Sequence, residues 1–323
     1  MKRIAVLSSG GDAPGMNAFI RSVVRMAIGN GLEAFGVMRG YQGLIDADIE
    51  PLHKRSVSNI IQRGGTMLRT ARCPEFKTAK GQRQAIRNLN AHNIDGLVVL
   101  GGDGSLAGAL ALHKAGFKVI GAPGTIDNDL AGTDMAIGVD TALNTVLNAI
   151  DRIKETASSH ERAFLVEVMG RNCGYIALIS GIIGGAEMIC IPEKDFELMD
   201  VVKVVQKTYI SGKTHCIIIV AEGAKHSTQQ IKITLDERIE EAGFESRVTI
   251  LGHIQRGGSP TAFDRLLATR LGAAAVELLL KGESGKMVGL VGNKIMATPI
   301  KEVLENRKQL DMELYDMART LEF

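Results

Sequence analysis

Short apolar runs recur along the chain, each closing in a glycine-rich or acid-bearing turn, and between them apolar residues return at helical spacing. Ile4 to Leu7 leads into a helix over Met16 to Ile28, followed by a strand at Glu33 to Val37 and a polar helix around Gln82 to Ala91. Gly96 to Leu100 and Phe117 to Ala122 are near-continuous apolar runs, the signature of strands buried on both faces. Asp140 or Thr141 can then cap a helix whose Leu143, Val146, Leu147, Ile150 and Ile153 share one face. Strands at Phe164 to Val168, Met188 to Ile191, Cys216 to Val220 and Val248 to Leu251 alternate with helices at Tyr175 to Ile183, Leu198 to Tyr209 and near Ile231 to Glu241. A long helix, Ala262 to Leu280, precedes a hairpin-like pair around Lys286 to Thr298. This alternation predicts an α/β protein: two similar three-layer domains with mainly parallel sheets flanked by helices. About nine strands exceed one compact unit, and the helix from Val139 is the natural first crossing.

Open α/β sheets bind ligands outside the carboxyl ends of their strands. Two neighbouring exits carry acids on rigid loops: Gly101-Gly102-Asp103-Gly104-Ser105 and Pro123-Gly124-Thr125-Ile126-Asp127-Asn128-Asp129. Together they suggest phosphoryl transfer with a metal. Asp103 offers a hard oxygen ligand for Mg²⁺, and Asp127 can take the proton of an attacking hydroxyl. The structural alternative is a cap and a turn. Gly10 to Asn17, between the first strand and helix, offers backbone N–H groups to phosphate, or is only a tight turn. Gly212-Lys213-Thr214 imitates the end of a P-loop, but it follows a helix and lacks the upstream glycine; a helix stop, with Lys213 beside exposed carbonyls, fits better.

Candidate anion-handling residues lie in the second half. Met169-Gly170-Arg171, Glu222 and Gly252 to Gly258 follow strands, whereas Arg162 and Arg247 stand just before strands, at the opposite ends. These two arginines are either structural or reach a neighbouring subunit's site.

The formal net charge of +2 over 323 residues gives no reason to expect nucleic acid or an anionic membrane as partner. Cys73, Cys173, Cys190 and Cys216 have no metal or redox spacing and suit reduced thiols. Met1-Lys2-Arg3 runs straight into a strand, leaving no room for a signal peptide, and no stretch is long and apolar enough to span a bilayer. The expectation is a soluble cytoplasmic enzyme.

Over essentially its full length the chain resembles the bacterial ATP-dependent 6-phosphofructokinases. The resemblance is carried by Gly10 to Asn17, Arg63-Gly64-Gly65-Thr66, Ser158-Ser159-His160, the two acid-bearing loops, Met169 to Arg171 and Gly252 to Pro260. It implies transfer of the ATP γ-phosphoryl group to the 1-hydroxyl of fructose 6-phosphate. It also implies an ATP domain of 1–138 plus about 255–305, and a sugar-phosphate domain of 139–254 plus about 306–323. Asp127 would be the base, with Thr125, Asp129, Gly11, Arg72 and Arg171 completing the catalytic set and Asp103 serving Mg²⁺. Gly11, Tyr41, Arg72, Cys73, Lys77, Gly102, Asp103, Gly104, Ser105 and Gly108 would hold ATP. The sugar phosphate would fall to Thr125, Ile126, Asp127, Met169, Gly170, Arg171, Glu222, His253, Ile254, Gln255 and Arg256. Arg162 and Arg247 would come from the adjacent subunit of a homotetramer with shared active sites.

The same resemblance implies an ADP or phosphoenolpyruvate effector site from Arg21, Arg25, Lys54, Asn59, Lys154, Gly185, Ala186, Glu187, Ser211, Lys213, Thr214 and His215. Lys54, Lys154 and Ser211 replace residues that are often basic, and Asn59 replaces a common Asp, so weakened effector binding is expected. Tyr175 stands where relatives mostly carry Asp. Pyrophosphate-using relatives typically have Asp at 104 and Lys at 124, where this chain has glycine. That disfavours a pyrophosphate donor. The other alternative, a non-catalytic nucleotide sensor, has no need of Asp127.

Overall fold

In the computed structural model, residues 1–321 are described; positions 322 and 323, the end of the expected 306–323 segment, lie outside them. In chain order the elements begin β1 (Arg3–Ser8), α1 (Met16–Gly29), β2 (Glu33–Val37), α2 (Tyr41–Asp46), β3 (Ile49–Leu52) and α3 (Ala79–Ala91). They continue β4 (Gly96–Gly101), α4 (Asp103–Lys114), β5 (Val119–Pro123), α5 (Val139–His160), β6 (Arg162–Val168), α6 (Tyr175–Ile183) and β7 (Met188–Cys190). Next come α7 (Leu198–Ile210), β8 (Cys216–Ala221), α8 (Thr228–Glu237), α9 (Ile239–Ala242), β9 (Glu245–Ile250) and α10 (Ala262–Leu280). The chain closes with β10 (Lys286–Val291), β11 (Lys294–Pro299), α11 (Ile300–Glu305) and α12 (Met312–Leu321). Two compact units form: Met1–Thr141 with Arg256–Lys308, and Ala142–Gln255 with the chain from Gln309 onward.

The first unit is built on a seven-stranded sheet ordered β11-β10-β5-β4-β1-β2-β3. Its centre is parallel and its edges, β11 and β3, are antiparallel. Alternate residues of each strand point to opposite faces. Ala5, Leu7, Leu97, Val99 and Val119 therefore meet Leu89 of α3 and Leu106 and Leu112 of α4 in one buried core. α1 and α10 lie together on the other face, where a Cβ on Gly272 would come within 2.7 Å of the Ser22 side chain. β1 pairs with β2 on one side and β4 on the other, so the strand order reverses there. The β1 and β4 exits flank that switch point, the place where such sheets bind ligands.

The second unit carries four parallel strands ordered β7-β8-β6-β9. Ala163, Leu165, Ile218 and Val220 pack on α7 and α8, while Gly181 of α6 abuts Ile189, which faces the opposite way from Met188 and Cys190. Both units are thus three-layered, though the sheets differ in size.

Four local expectations change. Asp140 and Thr141 do not cap α5; they sit in its first turn and bond the start of α10 instead. Lys213 does not lie beside helix-end carbonyls but pairs with Glu187 at 3.2 Å, although Gly212 does take the left-handed stop conformation (φ 79°). Arg162 and Arg247 lie within β6 and β9 rather than before them. The chain has eleven strands among its described residues, and of these only β3 was not foreseen.

Candidate active site

In the first unit, three strand exits are stitched side by side. Ser9 N–H donates to Leu100 O at 3.0 Å, joining the ends of β1 and β4. Gly124 N–H donates to Gly101 O at 3.0 Å, joining β4 to β5. Gly101 must be glycine, since a Cβ would stand 2.4 Å from Ser105 Oγ and 2.5 Å from Ser9 O. Asn17 clamps the Arg63–Thr66 segment here: its Nδ2 donates to Arg63 O and Gly64 O at 3.1 Å, and its Oδ1 accepts from Met67 N–H at 2.7 Å. Ser8 and Thr66 hydroxyls meet at 2.7 Å.

Over this turn lies Arg256, whose guanidinium donates to Asp12 O at 3.4 Å. A Cβ on Gly11 would sit 2.2 Å from Arg256 Nη1. Asp103 opens α4 on the exposed side, and nothing lies within 4 Å of a Cβ placed on Gly104. The N-terminus of α4 and its helix dipole therefore face an open, anion-attracting space, although the Ser105 and Leu106 N–H groups are taken by Gly102 O at 3.0 Å. Asp127 and Thr125 are buried, with Asp127 N–H donating to Thr125 Oγ1 at 3.2 Å and Thr125 packing 3.7 Å from a Cβ on Gly102. Ile126 is fully buried and Asp129 half-buried, its carbonyl accepting from Lys308 N–H. These contacts bring Gly11, Gly102 to Ser105, Thr125, Asp127 and Arg256 to one group of strand exits.

Tyr41 is not an open-cleft residue. It is buried, stacked on Phe76 at 4.1 Å, and donates its hydroxyl to Ser105 O at 2.5 Å, with burial pushing its phenol pKa far up. A Cβ on Gly108 would meet its ring at 2.5 Å. Arg72 and Lys77 are exposed, and Cys73 half-buried, around a short helical turn over Pro74–Lys77. Asp264, unforeseen, is fully buried and accepts from Gly138 N–H, Thr141 N–H and the Thr141 hydroxyl. Burial raises its pKa, and those three bonds partly restrain the rise.

In the second unit, the exits of β6, β8 and β9 form another group. Glu222 accepts from Gly170 N–H at 3.2 Å and Arg171 N–H at 2.7 Å, and Gln255 accepts from Met169 N–H at 3.2 Å. Glu193, unforeseen, accepts from Gly174 N–H at 2.8 Å and so holds the far end of the same loop. Arg171, with φ 52°, and His253 and Ile254 are exposed. Tyr175 opens α6. At the opposite sheet end, Arg162 and Arg247 both pair with Glu245, at 3.0 and 2.5 Å. The six steps of β6 from Arg162 to Val168 span about 20 Å, and Arg247, in register with Phe164, lies four steps or about 13 Å from the same end.

The expected effector residues also separate by unit. Arg21 and Arg25 lie one turn apart on α1, and burial and the like charge of Arg25 lower the Arg21 pKa. Lys54 and Asn59 are exposed after β3. In the second unit, Lys154 Nζ lies 3.3 Å from a Cβ on Gly185, and buried Glu187 accepts from Ile217 N–H at 2.7 Å as well as from Lys213. His215 meets Ser158 Oγ at 2.8 Å; burial lowers its pKa, with Lys154 and Lys213 adding to the effect and Glu187 opposing it. Ala186 is buried, Thr214 exposed, and Ser211 donates to Thr208 O.

Glycine-lined, acid-bearing exits at a parallel sheet's switch point are the equipment of a phosphoryl-transfer enzyme. The family model described as phosphofructokinase matches residues 3–279. The ATP-dependent 6-phosphofructokinase of Bacillus licheniformis is 54% identical over 322 residues, 99% of each chain. That of Clostridium novyi is 54% identical over 324 residues, covering both chains fully. A solved phosphofructokinase from Saccharomyces cerevisiae superposes with a TM-score of 0.87 at 38% identity; it covers 100% of this chain, which spans about half (47%) of that longer one. The chain belongs to the phosphofructokinase family.

Proposed function

We propose that this protein transfers the γ-phosphoryl group of ATP to the 1-hydroxyl of fructose 6-phosphate, giving fructose 1,6-bisphosphate and ADP in glycolysis. The observation carrying the reading is buried Asp127 on the β5 exit, beside the glycine-lined β4 exit from which α4 departs. Its full-length relatives of 54% identity are ATP-dependent enzymes. In this reading the Asp127 carboxylate accepts the hydroxyl proton as the oxygen attacks phosphorus, and the O–P bond to ADP breaks. Thr125 and Asp129 orient the base. Backbone N–H groups at Gly11 and Gly102 to Ser105 receive phosphate oxygens, while Arg72 and Arg171 offset charge on the transferring group. Tyr41, Cys73, Lys77 and Gly108 complete the nucleotide contacts, Tyr41 through its hold on Ser105. Met169, Gly170, Glu222, His253, Ile254, Gln255 and Arg256 serve the sugar phosphate, with Glu222 and Gln255 acting by shaping the Met169–Arg171 loop.

Mg²⁺ fits one particular way. No cluster of three or more His, Cys, Asp or Glu able to hold a metal exists among the described residues. Mg²⁺ is commonly held by one or two carboxylates plus substrate phosphates, and Asp103 at the open start of α4 suits that role. Bound there with ATP, it would neutralise phosphate charge.

Arg162, about 20 Å from the loops of its own sheet's other end, and Arg247, about 13 Å from them, serve a neighbouring copy in a homotetramer. The effector site takes ADP or phosphoenolpyruvate weakly. Lys54 and Lys154 cannot form the bidentate contact of arginine, and the Ser211 hydroxyl is already donated to its own helix. Four free thiols suit a reducing cytoplasm, and no helix among the described residues is long and apolar enough to cross a membrane. A pyrophosphate donor is disfavoured because Gly104, where pyrophosphate-using relatives typically carry Asp, opens on free space that leaves room for a nucleotide.

A coupled assay with fructose 6-phosphate and Mg²⁺ compares ATP with pyrophosphate. Turnover with ATP alone is expected, and turnover with pyrophosphate alone, or with neither, overturns the reading. Titrating ADP and phosphoenolpyruvate in the same assay should give only weak rate shifts. Large shifts at low effector concentration would refute the weakened site.

A further inference from the structure

Between the two acids of the β5 exit stands Asn128, only 1% exposed and in the left-handed conformation at φ 53°. Few residues hold that conformation cheaply; glycine does, and asparagine and aspartate tolerate it. Its side chain is fully used. Nδ2 donates to Asp134 O at 3.1 Å, and Oδ1 accepts from Ala136 N–H at 3.0 Å. The segment it grips is itself fixed. Asp134 N–H donates to Leu290 O at 2.6 Å, and the Asp134 carboxylate accepts from Gly292 N–H at 2.6 Å. Ile137 N–H returns to Pro123 O at 3.0 Å, and Gly138 N–H donates to buried Asp264 at 2.8 Å. The peptide carrying Asp127 is thereby tied, through one amide, to β10 and to the Asp264 carboxylate.

We infer that Asn128 is a positioning residue for the reaction: its amide fixes the turn that aims the Asp127 carboxylate, an inference that rests on Asp127 being the base. A base displaced by about 1 Å can lose on the order of a hundredfold in rate, because proton transfer needs close, directed approach. Substrate binding, which is spread over many groups beyond this turn, should change little.

Asn128→Gly keeps the backbone conformation and removes both anchors. With Mg-ATP and fructose 6-phosphate, kcat is expected to fall between about thirtyfold and three-hundredfold, with both KM values within about threefold of the parent. A KM rise with kcat kept, or a kcat within threefold of the parent, overturns the inference. Asp127→Ser and the double variant complete the cycle. If Asn128 acts through Asp127, adding Asn128→Gly to Asp127→Ser lowers kcat no further. A second loss of the same size would mean that Asn128 acts elsewhere and overturns it. Asp127→Ser with undiminished turnover would instead remove Asp127 as the base, a separate failure seen in the single variant. Thermal unfolding checks the fold. Should Asn128→Gly fail to fold, Asn128→Asp, which keeps the Ala136 anchor and tolerates the same backbone, is read by the same criteria.

Discussion

Gly108→Ala sets two physical effects against each other inside α4. Helix propensity alone favours alanine by about 1 kcal/mol at an interior position. The tertiary contact opposes it, because the new methyl would stand 2.5 Å from Tyr41 Cζ, 2.6 Å from its hydroxyl oxygen and 2.8 Å from Cε2. Ordinary carbon contacts begin near 3.5 Å, so the ring must retreat by about 1 Å. It has little freedom to do so, being stacked on Phe76 at 4.1 Å and tethered to Ser105 O at 2.5 Å. Overpacking of this kind costs about 1–3 kcal/mol, and losing the tether about 1 kcal/mol more. After subtracting the propensity gain, a net destabilisation of about 2 kcal/mol remains. For a unit of this size that lowers Tm by roughly 4–8 °C. Thermal unfolding of Gly108→Ala, Tyr41→Leu and the double variant tests it. Removing the ring removes the clash, so the double variant should be more stable than the sum of the singles by about 1 kcal/mol or more. A Gly108→Ala protein as stable as the parent, or more so, would refute the packing of Tyr41 over α4.

Gly11→Ala should behave in the opposite way: the methyl meets only the far end of the Arg256 side chain, at 2.2 Å from Nη1, and a guanidinium can swing aside. Tm should stay within about 2 °C while kcat/KM falls tenfold or more, measured on the same preparation; a parallel loss of Tm would show a structural role instead. Asp95 accepts from the backbone N–H groups of Lys2 and Arg3, which hold its carboxyl pKa below the ordinary value. Its contribution to stability is complete above the ordinary carboxyl pKa and is lost as pH falls through the lowered one. Asp95→Asn should therefore lower Tm at neutral pH and flatten the acid limb of the Tm–pH curve; an unchanged acid limb would contradict this.

The parallel strands were legible because burial on both faces leaves continuous apolar runs such as Leu97 to Leu100. β3 was not, because Glu50 and Pro51 are exposed on an edge strand and erase the pattern. α2 was hidden by its shortness and by Gly43. The acid-bearing loops could be read because strand exits and carboxylates are local features. What holds those loops could not: Asp264 reaches Thr141 across 123 positions, and Glu222 reaches Arg171 across 51. Asp140 and Thr141 carried a true capping signal, but α10 claimed both side chains. Lys213 likewise had a sound local role that Glu187, folded beside it, displaced. Local chemistry reads from sequence; the partner that competes for it reads only from topology.

The central claim is that Asp127 takes the proton as ATP phosphorylates fructose 6-phosphate, and the kcat of Asp127→Ser at saturating Mg-ATP and fructose 6-phosphate tests it most directly. The account predicts a loss of roughly 10²–10⁴-fold, with KM for the sugar phosphate within a fewfold of the parent. A kcat within tenfold of the parent would mean that the buried carboxylate of the β5 exit is not the base.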